Sequence, residues 1–531
     1  MAPDHTGVSG GEAVIRALSE EGVELVFGIP GTHNLPLYRH LGATGIRHVT
    51  PRHEQGGGYA ADGYFRAGGR PGVLLVTTGP GVTNAATPVA TAWADSVPML
   101  VIAPSLPTDV EGRDAGFLHQ TKDQRGAMES LASSSHRATS PADAYRAVRD
   151  AFRRFACERP RPAHIEVPLD VLEAHEELGD PAPPASSIAP TLDADALEKA
   201  AALLAQDGRI TFVLGGGARH AQESLTMLAE RIGAAVLTTV NGKATVSEHH
   251  SLSLGASLRL RSAQAWLTES DVVLAVGTEL GESDLWGPTP ALAGKLIRVD
   301  LDEAQLDKNA PAAVGIAGDS ERVVNALLEL VSARPHRSPE LHDVRKQLTD
   351  EALGDGGDWV ELCAVLQRAL GDDGVLAADS TMATYYGAVH MLRFGAPGRL
   401  LYPTGYATLG YGVPAGIGAK LACPETPVMV LSGDGGLMFT LAELVTAAEL
   451  GLSLPIVVPN NGGYGEIRRQ MRQADIEPIG VDLAVPDLPA LASACGGRGK
   501  RLDRVAQLPA ALDGALAHPG PTLIELPCRG S

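Results

Sequence analysis

Several residue types are scarce in this 531-residue sequence, and each scarcity excludes a class of protein. The five cysteines are far apart and form no C-x-x-C pair, which predicts isolated reduced thiols instead of a disulfide framework or a zinc site. Basic residues number 43 against 63 acidic residues, and the resulting net charge of −20 argues against nucleic acid as a partner.

Long apolar segments are also missing. No apolar run reaches the roughly 18 residues that a membrane span needs. The first residues, MAPDHTGVSGGEAV, lack the basic and then apolar pattern of a secretion signal. We therefore expect a cytoplasmic protein with no membrane partner.

Two polar stretches divide the chain, which is too long for a single core. Residues 177–195 are rich in proline, alanine and serine, and residues 332–358 are charged and end in glycines. The predicted domains are residues 1–178, 192–332 and 355–531, each of a usual domain size.

Within each block, short apolar runs alternate with helical patterns. Examples are GVLLVTTG (72–79), ITFVLGGG (210–217) and VMVLSGDG (428–435). Apolar strands that alternate with helices are typical of parallel sheets covered on both faces. The predicted fold class is α/β, with three doubly wound parallel-sheet domains.

Two polar turns in the third block follow such strands. Asp434 lies in SGDGG and Asn461 in NNGGYG, and a helix between them is predicted to begin with a capping box of Thr440 and Glu443. Each turn alone is commonly no more than a turn. Loops after neighbouring parallel strands meet at one sheet edge, however, and carboxylate and amide oxygens suit Mg²⁺ or Ca²⁺. Together, the turns predict a site for a metal and a diphosphate.

With these turns, the chain resembles the thiamine-diphosphate enzymes of the acetolactate synthase and 2-oxoacid decarboxylase superfamily, over essentially its whole length. The resemblance implies that Mg²⁺ is bound by Asp434, by the Asn461 side chain and by the Gly463 carbonyl. The remaining cofactor-binding residues that it implies are Thr408, Leu409, Gly433, Gly435, Gly436, Tyr464 and Gly465. Leu409, in TGYATLGYGVPAGIGAK (404–420), falls where the family has an apolar residue that bends the cofactor. Packing in the core is compatible with that role.

The segment RHEQGGGYAADGYFR (52–66) is similar to the family segment that carries the cofactor-activating glutamate, which falls on Glu54. Because the cofactor carries its own base, one buried carboxyl group from the protein is sufficient. An acid at a helix start is the alternative interpretation. In this family the glutamate and the diphosphate site come from different subunits, which implies a homodimer or a dimer of dimers (a homotetramer).

FAD, which acetolactate synthases bind in the middle domain, is not expected here. After LAVG (274–277) the chain continues with TELGESDLW, without the acid-and-arginine pattern of those synthases. The glycines of LGGGARHA (214–221) are equally explained by strand-to-helix packing. Pyruvate decarboxylases usually have a His-His pair in the first domain, whereas His249 and His250 lie in the middle block and are expected to be exposed.

Four stretches resemble the 2-ketoarginine decarboxylases: TPRHEQGGGYAADGY, TGYATLGYG, NNGGYGEIRRQMRQADIEPIGVDL and VGTELGESD. This implies non-oxidative conversion of 5-guanidino-2-oxopentanoate to 4-guanidinobutanal and carbon dioxide. Glu466 falls where related decarboxylases face the substrate side chain, and its carboxylate can pair with a guanidinium. Stabilisation of its own helix N-terminus, or pairing with Arg469 or Gln470, is the alternative.

Polar residues of the first block complete the predicted site. The loop GFLHQTKDQRG (116–126) falls where the family places a loop that enters the neighbouring active site. His119 and Gln120 are the predicted catalytic residues of this loop, with His119 as a proton shuttle or, alternatively, a solvated side chain. Thr32 and Thr77 are predicted to contact the substrate carboxylate, unless they only cap helices.

Two other functions remain open. A carboligase of the acetolactate synthase type would use the same cofactor residues. A non-catalytic nucleotide-binding α/β protein is the second alternative. The combination of Glu54, Asp434 and Asn461 argues against it, because binding alone does not need Glu54.

Overall fold

The computed structural model describes residues 7–179, 191–334 and 338–528. Three six-stranded sheets follow one another along the chain, and helices lie between their strands. Neighbouring strands pair in parallel in all three sheets. The predicted α/β class with three parallel-sheet domains is therefore confirmed.

Residues 7–179 of the N-terminal domain contain eight strands. They are β1 (Val8–Ser9), β2 (Leu25–Gly28), β3 (Arg47–Val49), β4 (Gly72–Leu75), β5 (Met99–Ser105), β6 (Ser134–Arg137), β7 (Ala163–Pro168) and β8 (His175–Glu176). The sheet order is β3-β2-β4-β5-β7-β6, and β1 pairs with β8 in antiparallel. The helices are α1 (Gly10–Glu20), α2 (Leu35–Leu41), α3 (Glu54–Gly68), α4 (Pro80–Asn84), α5 (Ala86–Ala94), α6 (Gln124–Glu129), α7 (Pro141–Cys157) and α8 (Leu169–Glu173).

The middle domain is built around the sheet β11-β10-β9-β12-β13-β14 of strands β9 (Ile210–Leu214), β10 (Ala235–Thr238), β11 (Ser253–Gly255), β12 (Val272–Val276), β13 (Leu296–Asp300) and β14 (Val314–Ala317). Its helices are α9 (Ala194–Leu204), α10 (Gln222–Ile232), α11 (Arg261–Thr268), α12 (Glu282–Leu285) and α13 (Ser320–Leu330). Every residue of β12 is buried, as expected for a central strand covered on both faces.

The C-terminal domain has the strands β15 (Val375–Ala378), β16 (Leu400–Leu401), β17 (Val428–Leu431), β18 (Leu454–Asn460), β19 (Arg498–Arg501) and β20 (Pro521–Pro527), in the order β16-β15-β17-β18-β20-β19. Helix α14 (Ser338–Gly356) precedes this domain. The domain's own helices are α15 (Trp359–Leu370), α16 (Val389–Met391), α17 (Gly412–Ala422), α18 (Asp434–Leu437), α19 (Glu443–Glu449), α20 (Gly465–Gln473), α21 (Leu488–Ala494) and α22 (Leu508–Leu516). A π-helical turn spans Ala383–Ala388. Short 3₁₀ turns in the chain are Thr32–Asn34, Thr108–Val110, Gly216–Ala221, Glu303–Gln305 and Val505–Gln507.

The two polar stretches that divide the sequence differ in structure. Of the first, residues 180–190 lie outside the described residues. The second contains α14, which the sequence analysis did not predict. Leu341, Val344 and Leu348 are buried in the core of the middle domain. This spacing places them on one face of a helix, and their burial explains why a highly charged segment is helical.

The predicted capping box of Thr440 and Glu443 is wrong. Helix α19 begins at Glu443 itself, and the Thr440 hydroxyl donates to the Gly410 carbonyl at 2.7 Å. The Glu443 carboxylate instead accepts hydrogen bonds from the backbone N–H groups of Arg52 and His53, at 2.9 and 3.1 Å. Thr440 thus bonds within the C-terminal domain, whereas the carboxylate of Glu443 bonds to the backbone of the N-terminal domain.

Helix α3 of the N-terminal domain packs against α17 of the C-terminal domain with their backbones in close contact. A Cβ atom at Gly63 would lie 2.2 Å from the Ala415 carbonyl oxygen, and one at Gly418 would lie 1.9 Å from the Ala60 carbonyl oxygen. Only glycine permits this approach. The contact fixes the helix that begins at Glu54 against the helix that follows Leu409.

Two further expectations can be compared with the structure. All five cysteines are free thiols, in agreement with the sequence analysis. Among the described residues, no helix combines the length and the apolar character that crossing a membrane requires.

Candidate active site

A cavity of about 840 Å³ opens between the middle and C-terminal domains. The turns that follow β17 and β18 form part of its wall, at the carboxyl ends of the strands, where sheets of this kind bind ligands. The residues predicted from the sequence that line it are Leu409, Gly433, Asp434, Gly435, Gly436, Asn461, Gly463, Tyr464, Gly465 and Glu466.

Asp434 and Asn461 lie together in this wall, as predicted. Asp434 is buried, and its Oδ1 atom accepts a hydrogen bond from the Asn461 backbone N–H at 3.2 Å. Burial raises the pKa of Asp434. Asp434 Oδ2 and Asn461 Oδ1 are buried oxygens without a hydrogen-bond partner among the described residues. Such orphaned acceptors are costly unless a ligand satisfies them, and the oxygen set fits a hard cation such as Mg²⁺.

The glycines of both turns are required by close contacts. A Cβ atom at Gly435 would lie 2.9 Å from Cε1 of Tyr464. Gly463 has φ of +134°, and a Cβ there would lie 2.1 Å from the Val481 carbonyl oxygen. A larger residue at either position would change the turn that presents Asn461.

The two residues predicted in the loop before α17, Thr408 and Leu409, contact different parts of the molecule. Leu409 lines the cavity. The Thr408 hydroxyl forms a 2.7 Å hydrogen bond with the Tyr59 hydroxyl on α3, so this side chain joins two domains.

Asp379, which the sequence analysis did not single out, joins the loop after β16 to the turn after β17. It is buried after β15 and accepts hydrogen bonds from the Gly410 backbone N–H and the Ser432 hydroxyl, at 3.1 and 3.0 Å. Asp379 directly follows the apolar strand β15, and Asp434 similarly lies within three residues of the end of β17. The sequence VLAADS (375–380) shows this pattern and could have identified Asp379.

Glu466 pairs with Arg469 and Gln470, as its alternative interpretation predicts, and its contact with a substrate stays a prediction. Its Oε1 atom accepts hydrogen bonds from Tyr386 at 3.1 Å, from Arg469 at 2.8 Å and from Gln470 at 2.9 Å. Its Oε2 atom is buried and has no hydrogen-bond partner among the described residues. One carboxylate oxygen thus stabilises the helix, and the other remains free to accept from a ligand.

An aromatic cluster lies beside Glu466. Tyr385 and Tyr386 belong to the π-helical turn, and Trp286 comes from the middle domain, with ring centroids 5.0 to 5.9 Å apart. The Arg259 guanidinium lies 4.6 Å from the Trp286 centroid, and that of Arg469 lies 4.8 Å from the Tyr386 centroid. These residues come from distant parts of the chain, and no local pattern connects them.

Glu54 lies elsewhere. It is the first residue of α3 and is buried, and its Oε2 atom accepts a hydrogen bond from the Asn84 side chain at 2.9 Å. The described residues that line the cavity all come from the middle and C-terminal domains. Glu54 is therefore not part of the cavity wall in its own chain.

Two histidines meet near Thr77 in the N-terminal domain. The rings of His33 and His119 have centroids 4.9 Å apart. The Nδ1 atoms of both rings and the Thr77 hydroxyl are buried without a partner among the described residues. Burial and the His119 ring lower the pKa of His33. The sequence analysis singled out the exposed Thr32 and missed His33, its buried neighbour.

Two glutamines of the same region have structural partners. Gln120 Oε1 accepts hydrogen bonds from the Gly116 and Phe117 backbone N–H groups, at 2.9 and 3.1 Å, which closes its own loop. Gln124, which was not predicted, is buried and accepts from the Gly79 backbone N–H at 2.8 Å. It thereby fixes the turn that follows Thr77.

Comparison with known proteins identifies the family. Models of thiamine pyrophosphate enzymes match the chain in three segments: the N-terminal TPP binding domain at residues 8–127, the central domain at 197–327 and the C-terminal TPP binding domain at 379–526. The chain belongs to the thiamine pyrophosphate enzymes.

The chain is similar to several named members of this family. It is 41% identical to "Probable 2-ketoarginine decarboxylase AruI" of Pseudomonas aeruginosa, over 99% of this chain and 95% of the relative. It is 34% identical to an acetolactate synthase large subunit of Corynebacterium glutamicum, over 87% and 76%. Identity to acetolactate synthase isozyme 1 large subunit of Escherichia coli is 30%, over 98% and 93%.

Each chain of this thiamine pyrophosphate enzyme presents two separate groups of predicted site residues. The group at the cavity contains Asp434, Asn461 and Glu466. The other group contains Glu54 and His119 of the N-terminal domain, and His33, which was not predicted, lies against His119.

In the middle domain of this thiamine pyrophosphate enzyme, the glycine-containing turns after β9 and β12 are in direct contact. A Cβ atom at Gly215 would lie 2.1 Å from the Gly277 carbonyl oxygen. These glycines let the turn after β9 pack against the turn after β12, whereas the sequence had suggested strand-to-helix packing. His249 is exposed and His250 half-buried, and each pairs with a carboxylate.

Proposed function

We propose that this thiamine pyrophosphate enzyme is a Mg²⁺-dependent decarboxylase of 5-guanidino-2-oxopentanoate (2-ketoarginine). The products are 4-guanidinobutanal and carbon dioxide. The observation that carries the proposal is the buried, unpartnered Oε2 of Glu466 in the same cavity wall as Asp434 and Asn461. A guanidinium presents N–H donors in a fixed fork, which suits such an acceptor. The name of the 41% identical relative supports the same substrate.

In this proposal, Asp434, Asn461 and the Gly463 carbonyl hold Mg²⁺, and the glycines beside them hold the diphosphate. When bound, the cofactor supplies a nucleophilic carbon and takes up the electron pair left by carbon dioxide. Leu409 supports the cofactor from the cavity wall. Glu466 orients the substrate by its distal end, so that its 2-oxo group faces the cofactor site.

We further propose that Glu54 completes the site of a partner subunit, in a homodimer or a dimer of dimers. The support is its position outside the cavity of its own chain. His119 and Thr77 would accompany it, with His119 as a proton carrier and Thr77 at the substrate carboxylate. The side chain of Gln120 holds the loop of His119 in shape, and the exposed Thr32 lies on the same side of the domain.

The test is turnover by the protein with thiamine pyrophosphate and Mg²⁺ on a panel of 2-oxoacids. We expect kcat/KM to be highest for 2-ketoarginine, lower for the uncharged 2-oxohexanoate and lowest for pyruvate. Carbon dioxide and the aldehyde should form in equal amounts. A higher kcat/KM for an uncharged acid would contradict the proposal.

A carboligase of the acetolactate synthase type is the second candidate, because relatives with that name are 30% and 34% identical. It predicts acetolactate as the product from pyruvate, and a flavin absorbance band if FAD co-purifies. The same assay distinguishes the two candidates by product.

A further inference from the structure

A second carboxyl group, that of Asp284, lies in the wall of the same cavity. It belongs to α12 of the middle domain, and Trp286 of the aromatic cluster follows two residues later. Its Oδ1 atom accepts a hydrogen bond from the Val240 backbone N–H at 3.3 Å. The cavity thus has acidic groups on both of its sides, Asp284 on the middle domain and Glu466 on the C-terminal domain.

The surroundings of Asp284 disfavour its charged form. Burial raises its pKa to about 7, and the nearby carboxylates Asp95 and Glu279 act in the same direction. Those two carboxylates have their own cations, Arg66 at 2.8 Å and Arg159 at 2.7 Å respectively. Asp284 itself is half-buried, and no salt bridge joins it to a cation among the described residues. An incoming positive charge is stabilised beside such a carboxyl group.

The arginines that line the cavity have other partners. Arg259 pairs with Asp355 and lies over the Trp286 ring, and Arg469 pairs with Glu466. The chain's own guanidinium groups therefore already cover the faces of the aromatic cluster. A guanidinium from a ligand must use the acceptors that these arginines leave free.

We infer that Asp284 is a specificity-determining residue, which pairs with the guanidinium of the substrate from the side opposite to the free Oε2 of Glu466. The inference rests on the proposed function. A guanidinium has five N–H donors on more than one edge and can accept two carboxylates at once. An uncharged side chain gains nothing from either group, so the two acids together favour a basic 2-oxoacid.

The first test compares Asp284→Asn with Glu198→Gln, a change that removes an exposed acid from α9 of the same domain, outside the wall of the cavity. At pH 8, we expect Asp284→Asn to lower kcat/KM for 2-ketoarginine about ten- to a hundredfold, mainly through KM. Turnover of 2-oxohexanoate should be unchanged or higher. Glu198→Gln should change both values by less than about threefold.

The pH profile gives a second readout. For 2-ketoarginine, kcat/KM of the wild type should rise between pH 6 and pH 8 as Asp284 ionises. For Asp284→Asn, the pH profile on 2-ketoarginine should show no such rise when it is compared with the profile of the same variant on 2-oxohexanoate. Equal losses on the two substrates, or equal effects of the Asn and Gln variants, would overturn the assignment.

Binding of 4-guanidinobutanoate to the holoenzyme, measured by calorimetry, separates this inference from the proposed function. The wild type should bind this probe at least about tenfold more tightly than Asp284→Asn. If the wild type fails to decarboxylate 2-ketoarginine but shows this difference, the proposed function is wrong and the assignment of Asp284 stands. If it turns over 2-ketoarginine and both proteins bind the probe equally, the assignment of Asp284 is wrong. Absence of both turnover and binding would refute both.

Discussion

Glu443 of the C-terminal domain caps the helix that begins with Glu54 in the N-terminal domain. Its carboxylate accepts from the backbone N–H groups of the two residues that precede Glu54, and a Cβ atom at Gly56 would lie 2.3 Å from Glu443 Oε1. A negative charge is favourable at a helix N-terminus. The domain that carries Asp434 therefore also positions the helix of Glu54.

Replacement of Glu443 tests this link. Glu443→Ala removes the acceptor of two backbone N–H groups and of the Thr446 hydroxyl, and we expect a loss of about 2 to 4 kcal/mol and a lower Tm. Glu443→Gln retains one acceptor oxygen and should lower the Tm less. Thermal unfolding and kcat/KM of both variants check this, and an unchanged Tm for Glu443→Ala would contradict the capping role.

Glu54→Gln should bind the cofactor but lose most of its turnover, because an amide cannot exchange a proton with the cofactor. A group with this role contributes about 10²- to 10⁴-fold. Gln55→Ala, in the adjacent helix position, is the control and should retain turnover. Activity and cofactor affinity are measured together, and near-wild-type kcat at saturating cofactor for Glu54→Gln would exclude the assignment.

Asp434→Ala should weaken the binding of Mg²⁺ and of thiamine pyrophosphate together, because in the proposed site the metal joins the protein to the diphosphate. Titration of Mg²⁺ with thiamine pyrophosphate in excess, and of thiamine pyrophosphate with Mg²⁺ in excess, measures how far the binding of one depends on the other. Asp513→Ala is the matched control, since it removes an exposed aspartate from α22 of the same domain, away from the cavity. Unchanged cofactor affinity in Asp434→Ala would remove the metal assignment.

Glu466→Gln should lower kcat/KM for 2-ketoarginine by about ten- to a hundredfold, the loss of roughly 1.5 to 3 kcal/mol from a charge-assisted contact. Activity on 2-oxohexanoate should change little or rise. A role limited to Arg469 and Gln470 on its own helix would lower Tm and affect the two substrates alike. Kinetics on both substrates, with the melting temperature, distinguish the two roles.

His164 predicts a pH dependence of stability. It is buried in β7, and burial lowers its pKa to about 3. In the unfolded chain it takes up a proton near its ordinary pKa of about 6.5. The folded state therefore loses stability as the pH falls from about 6.5 towards 3, by at most about 1.4 kcal/mol per pH unit. His164→Gln should reduce the fall in Tm between pH 7 and pH 5, whereas the exposed His249→Gln should not.

Much of the cofactor side of the site was predictable because its signals are local. Asp434 lies three residues after the apolar strand β17, and Asn461 directly follows the mostly apolar β18. The order of strand, turn and helix brings such turns to one sheet edge. Glu54 was predicted through resemblance, and it is buried at the start of α3. The helix α14 was missed because its apolar face is narrow and its composition is charged.

The sequence by itself determined the α/β class, the strands and the turns, because apolar runs and glycines act on their immediate neighbours. Only the tertiary structure decided which groups face one another across domains. Glu443 caps a helix almost 400 residues away in the chain rather than its own. Asp284 and Glu466 share a cavity, and His33 meets His119, only after the chain has folded. A side chain's hydrogen-bond partners depend on distances in space, which the spacing of residues along a chain does not contain.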